Sequence, residues 1–183
     1  MIDHIVILAA GAGSRMNSSK SKPVHDFAGK PLLRWVYDLA KSCQPRLIHI
    51  VHGPDNQTEL APLVPDAEIR WVCQSKQNGT ANALMSALKE VNGGRFLVLN
   101  ADMPLVDYET VMSLLVLQAP LKLLTVKKNN PTGYGRIMRH DATQAPYAII
   151  EELDATSEQK KINEVFTGVL IGDVDDVKTW IQS

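Results

Sequence analysis

Short apolar runs alternate along this chain with stretches whose apolar residues recur at helical spacing. Residues 5–8, 47–51 and 96–99 are almost unbroken apolar runs, which predicts strands buried on both faces. Residues 69–73, 121–126, 148–150 and 165–171 are further strand candidates. Between them, residues 31–42 place Leu32, Leu33, Val36, Leu39 and Ala40 on one helical face, with Pro31 at the first helical position. Residues 80–91 repeat that pattern. Residues 107–117 open with Asp107 and Glu109 at a helix start and carry Val111, Leu114 and Leu115 on one side. A last helix has Val177 and Trp180 as its buried face. The turn formers gathered in residues 129–135 predict a loop. Strand–helix alternation of this kind predicts an α/β fold of three layers.

Composition narrows the function. A chain of 183 residues is read as one domain, 1–183, without repeats or linkers. The net charge of -1, with no long basic run and with 3 Trp, 4 Tyr and 3 Phe, supplies neither the cationic footprint nor the stacking surface that nucleic-acid binding uses. No run reaches the ~18–20 apolar residues that cross a bilayer. Cys43 and Cys73 lie far apart without metal-ligand spacing, as expected of reduced thiols in a cytoplasmic protein. The apolar stretch near the N-terminus is preceded by Asp3 and no Lys or Arg, so it reads as a strand rather than a leader.

The first strand runs into Leu8-Ala9-Ala10-Gly11-Ala12-Gly13-Ser14-Arg15-Met16. Small residues at the C-terminal end of a strand let backbone N–H groups approach an anion, and phosphate is the natural guest. Arg15 and Lys22 add positive charge. A Walker A loop is absent, and Met16 stands where a dinucleotide fingerprint has its third glycine. On spacing alone, a turn that merely links strand to helix remains equally open.

Five groups of residues occur in order after that: Lys22, His25 and Ala28-Gly29-Lys30-Pro31; Gln74 with residues 77–81; residues 100–105 around Asp102; residues 130–137; and residues 149–155. Together with the glycine loop they resemble the sugar-phosphate nucleotidyltransferases, most closely the uridyltransferase domain of bifunctional N-acetylglucosamine-1-phosphate uridyltransferase/acetyltransferases. The resemblance covers nearly the whole chain. It implies a Rossmann-like nucleotidyltransferase fold with a mixed, mostly parallel central sheet. It also implies transfer of a uridylyl group from UTP to a sugar 1-phosphate, with release of pyrophosphate and with Mg²⁺ as cofactor.

Carried over residue by residue, the resemblance places Leu8, Ala9, Ala10, Gly11 and Gly13 against the nucleotide. Arg15 and Lys22 take the triphosphate, and Asp102 holds magnesium. Gln74 is implied to read the uracil edge, with an amide supplying one donor and one acceptor. Gly79 and Thr80 complete that pocket, the Thr80 hydroxyl capping a helix. Asn100, Gly135, Glu151 and Thr167 are implied to meet the sugar. Glu152 and Asp154 read as surface charges or local caps.

Two departures bear on the acceptor side. Residues 164–168 read Glu-Val-Phe-Thr-Gly, with Phe166 where the family has an asparagine that binds the amino sugar. The family's C-terminal segment, which supplies an asparagine to the magnesium, and its β-helix acetyltransferase domain do not occur in these residues. The metal is therefore expected to rely on Asp102, water and substrate phosphates. Ser21 also replaces a proline before Lys22, which predicts a less rigid loop. These features leave two readings: a uridylyltransferase acting on N-acetylglucosamine 1-phosphate or a related acceptor, and a nucleotide-binding homologue with a regulatory or assembly role.

Overall fold

The computed structural model describes residues 1–11, 18, 20–64, 68–75 and 79–182. Strand β1 (His4–Leu8) is followed by a 3₁₀ turn at Lys22–Val24 and a small hairpin, β2 (Asp26–Phe27) with β3 (Lys30–Pro31). Helix α1 (Leu32–Ser42), strand β4 (Leu47–His52), the single turn α2 (Gln57–Leu60) and strand β5 (Ile69–Cys73) come next. Helix α3 (Gly79–Leu88) leads to β6 (Arg95–Asn100), and α4 (Tyr108–Leu115) to β7 (Leu121–Lys127). The chain continues through β8 (Arg136–Arg139), β9 (Pro146–Ile150), β10 (Glu164–Asp173) and α5 (Val174–Gln182). These elements form two compact units, Met1–Lys122 with Leu170–Ser183, and Leu123–Val169.

In the first unit β5, β4, β1 and β6 lie side by side and parallel. Residues 170–173 of β10 add an antiparallel strand beside β6. The result is the α/β layering that the alternation predicts and the mixed, mostly parallel sheet that the family resemblance implies. The apolar runs form strands because both faces are covered. Val6, Val51 and Val98 pack with Ala83, Leu84, Ala87 and Leu88 of α3 and with Val174 and Val177 of α5. Ile5 and Ile7 point to the opposite face and are fully buried as well.

Details differ at the helix ends. Pro31 is not the first helical residue: it is extended (φ -55, ψ 143), pairs with Asp26 and precedes α1. Asp107 caps α4 by accepting the Thr110 N–H at 2.8 Å. On α5, Val177 is buried but Trp180 is 43% exposed. At 3.6 residues per turn, Trp180 lies about 120° around the helix from Val174, off the stripe that faces the core.

The second unit is antiparallel. β8 pairs with β9, with an irregularity at Met138/Arg139, and Val165 of β10 lies opposite Arg136 of β8. β7 pairs with β10. The residues 129–135 are loop, as predicted, but β8 was hidden by its charged ends, Arg136 and Arg139.

Candidate active site

The parallel register brings the C-terminal ends of the first unit's strands level, since Leu8 lies opposite both Val51 and Asn100. Chain turns leave the sheet there together. Ala101 donates its N–H to the Leu8 carbonyl at 3.0 Å, and Ala9 donates to the Val51 carbonyl at 2.8 Å. Asn56 Nδ2 donates to the Ala9 carbonyl at 3.0 Å, while its Oδ1 accepts the Gly53 N–H at 2.9 Å. These bonds of Leu8 and Ala9 anchor the loop. Ala10 is buried; Gly11 is exposed, and among the described residues no neighbouring atom stands within 4 Å of where its Cβ would be. Gly13 and Arg15 lie outside the described residues.

Lys22 and Asp102 meet. Lys22 heads the 3₁₀ turn, and its Nζ is 2.5 Å from Asp102 Oδ2. Asp102 stands in the turn after β6, where the Met103 N–H bonds the Asn100 carbonyl at 3.3 Å. Both side chains keep solvent access, 42% and 31% exposed. Ser21 is fastened to Glu59: its N–H and Oγ both donate to Glu59 Oε2, at 3.3 and 2.7 Å. Ser21, which stands where the family has a proline, is thus held by hydrogen bonds.

Gln74 follows β5 and is only 5% exposed. Its N–H donates to the His52 carbonyl at 2.8 Å. Its Nε2 donates to the Gly79 carbonyl at 3.2 Å and the Asn82 Oδ1 at 3.4 Å, so the amide braces the start of α3. Gly79 opens that helix with φ +86, a conformation that favours glycine. Thr80 is not the cap: it sits exposed inside the first turn, because α3 already begins at Gly79. Asn56 and Asn82 are site residues that sequence reasoning missed. Each reads locally as a turn former or an exposed helix residue, and its distant partner leaves no local signal.

In the second unit, Gly135 and Glu151 are neighbours. A Cβ on Gly135 would stand 2.8 Å from Ile149 Cγ2 and 3.2 Å from Glu151 Oε1. Only glycine permits this approach without displacement. Phe166 donates its N–H to the Gly135 carbonyl at 2.9 Å, and its side chain is half-buried. The Thr167 hydroxyl donates to the Leu124 carbonyl at 2.8 Å and accepts the Val169 N–H at 3.2 Å. It is therefore engaged within the strands.

Glu152 is neither a free surface charge nor a local cap, since its partners lie 16 and 19 residues away. It takes Nη2 of Arg136, 1% exposed, at 2.7 Å and the Gly133 N–H at 3.1 Å. Those bonds hold its carboxyl below the usual carboxylate range, the Arg136 hydrogen bond most of all. Asp154 donates its N–H to the Glu151 carbonyl in a local turn. Elsewhere in the unit, Arg139 forks onto Glu164 with bonds of 2.8 and 2.7 Å, and the Thr125 hydroxyl donates to the same carboxylate. Arg139 is the main reason the Glu164 pKa falls to about 2.

Among the described residues no group of three or more His, Cys, Asp or Glu side chains could cage a metal. A hard cation held by one carboxylate and by substrate oxygens suits what is present, with Asp102 as donor. A cavity lined by Lys41, Arg46, Leu47 and Glu68 lies at the opposite, N-terminal ends of β4 and β5.

The sheet, the strand-end turns and the Lys22–Asp102 pair describe an α/β protein with an ion pair at its strand mouths. Residues 5–168 match the family model of the MobA-like NTP transferase domain, and the chain belongs to that family. It is 44% identical over 180 residues to the bifunctional protein GlmU of Methylobacillus flagellatus, covering 97% of this chain and 38% of that one. GlmU of Nitrosomonas europaea is 41% identical over 182 residues, covering 98% and 40%. The chain thus spans about two fifths of the length of these curated relatives.

Two solved structures share the fold. A protein described as a glucose-1-phosphate thymidylyltransferase from Bacillus anthracis, crystallised with sucrose, superposes with a TM-score of 0.79 at 18% identity, covering 98% of this chain and 74% of that one. UDP-glucose pyrophosphorylase complexed with UDP-glucose gives 0.77 at 16%, covering 100% and 80%.

Proposed function

We propose that this chain transfers the uridylyl group of UTP to a sugar 1-phosphate, with N-acetylglucosamine 1-phosphate as leading acceptor, giving a UDP-sugar and pyrophosphate. The observation that carries the reading is the meeting of Lys22 and Asp102 at the mouths of β1 and β6. Membership of an NTP transferase family and likeness to GlmU support it.

The chemistry suits these groups. An oxygen of the sugar 1-phosphate forms a bond to the α-phosphorus of UTP. The bond from that phosphorus to the bridging oxygen breaks, and its electron pair leaves with pyrophosphate. Such a reaction needs alignment and charge neutralisation more than covalent catalysis. Lys22, with Arg15 from the sequence reading, would hold the phosphates and take up charge on the leaving group. Asp102 would hold a magnesium ion, which supplies Lewis-acid neutralisation of phosphate oxygens when bound. Gln74 would meet the base, and Glu151 would accept hydrogen bonds from sugar hydroxyls next to Gly135.

A second reading, a nucleotide-binding protein without turnover, is favoured by Phe166, whose apolar side chain offers an amino sugar no hydrogen bond. Pyrophosphate release with UTP, Mg²⁺ and a panel of sugar 1-phosphates separates the two. Turnover with N-acetylglucosamine 1-phosphate is the expected result. UTP binding without turnover on any acceptor leaves only the second reading.

A further inference from the structure

Arg136 carries a full charge yet is 1% exposed. Removing a guanidinium from water costs several kcal/mol, and a buried ion pair seldom adds net stability over apolar residues of the same volume. Here the burial is also imperfect, because Nε has no hydrogen-bond partner among the described residues. What the arginine does supply is a planar fork of fixed geometry. Its Nη1 donates to the Tyr134 carbonyl, and its Nη2 donates to Glu152 Oε2 at 2.7 Å and to the Lys160 carbonyl at 3.4 Å. Glu152 Oε2 also accepts the Gly133 N–H at 3.1 Å. One ion pair therefore ties together the loop of residues 133–135, the turn after β9 and the turn at Gln159–Lys161.

The placement matters because each partner adjoins a group of the proposed acceptor site. Arg136 follows Gly135, and Glu152 follows Glu151. Glu152 points in to the arginine, while Glu151 packs beside Gly135.

We infer that Arg136 and Glu152 are positioning residues for the sugar acceptor: their buried ion pair sets Glu151 against Gly135 without either touching the substrate. The inference rests on the proposed transferase reading and extends it. Hydrogen bonds to a hydroxyl fail with shifts near 1 Å, so releasing the clamp selectively weakens the acceptor's hold while nucleotide groups such as Lys22 and Gln74 are unchanged.

The test is a KM comparison. Glu152→Ala is expected to raise the KM for the sugar 1-phosphate roughly ten- to a hundredfold, with the KM for UTP within about twofold. Glu152→Gln, which keeps an acceptor oxygen for Arg136 and Gly133, should recover part of the loss. Because Glu152→Ala leaves a buried cation unpaired and could unfold the unit, the double variant Arg136→Met with Glu152→Leu is measured alongside it. The double variant is expected to regain the melting temperature and keep the raised acceptor KM. An acceptor KM that returns to the original value with the restored fold overturns the inference, as does an unchanged KM in folded Glu152→Ala. Failure of the transferase reading looks different: the unaltered chain then shows no turnover.

Discussion

Lys22 Nζ lies 2.5 Å from Asp102 Oδ2, so two charges that the proposed function gives to different partners, a phosphate and a cation, neutralise each other in the free protein. A ligand that takes one must release the other. Nucleotide and metal are then expected to bind with positive coupling, since each makes its own group's former partner available to the second ligand.

Asp102→Asn should therefore separate binding from turnover. A partly exposed ion pair is worth about 1 kcal/mol or less, so releasing Lys22 is expected to tighten metal-free UTP binding by up to about fivefold. Magnesium-dependent turnover should be lost, with little change in melting temperature. Calorimetric titration of UTP with and without Mg²⁺ reads the coupling directly. Weaker metal-free binding in Asp102→Asn would show that Lys22 is not held back by its partner.

Gly135→Ala tests the acceptor side. The new methyl group would stand 2.8 Å from Ile149 Cγ2 and 3.2 Å from Glu151 Oε1, so one of them must move. Strain of about 1–3 kcal/mol is expected in the melting transition, and a raised acceptor KM with unchanged UTP binding. A normal acceptor KM would remove Glu151 from the sugar site.

Gln74 has two jobs that one substitution can tell apart. Gln74→Leu removes the bonds to the Gly79 carbonyl and Asn82 and also the candidate base contact. UTP affinity should fall roughly tenfold, and the preference for UTP over CTP should shrink. If stability drops while the preference survives, the amide is a brace for α3 alone.

Acid should loosen the first unit through His49. This ring is fully buried, lies 3.4 Å from His4 between ring nitrogens, and has an Nδ1 without a partner among the described residues. Burial first, then His4 and Arg70, lowers its pKa from 6.5 to about 4. Between those values the unfolded chain binds a proton that the folded chain refuses. Stability is therefore full above pH 6.5 and declines as pH falls towards 4, by at most about 3 kcal/mol. Urea unfolding at a series of pH values should show this slope, and His49→Leu should flatten it.

Most strands were legible because a strand buried on both faces leaves a continuous apolar run, as in β1 and β6. The segment Ile69–Cys73 was readable to its ends. β8 was not, because Arg136 and Arg139 look like loop residues until Glu152 and Glu164, far along the chain, account for them. The same reason explains the site. The family resemblance pointed to Lys22, Asp102, Gly135 and Glu151 as candidates. Which of them touch, and that Asn56, Asn82 and Glu152 hold the framework, depends on contacts across 47, 8 and 16 residues.

The second unit is a single stretch of chain lodged between Lys122 and Leu170, and its two junctions are near neighbours: a Cβ on Gly172 would stand 3.2 Å from Leu121 Cδ1. An insert whose entry and exit adjoin can be exchanged as one cassette while the parallel strands keep their order. Gly135, Glu151 and Phe166 all travel on that cassette, and Lys22, Gln74 and Asp102 stay behind. Under the proposed function, grafting residues 123–169 from a relative tests whether acceptor preference travels with that stretch alone.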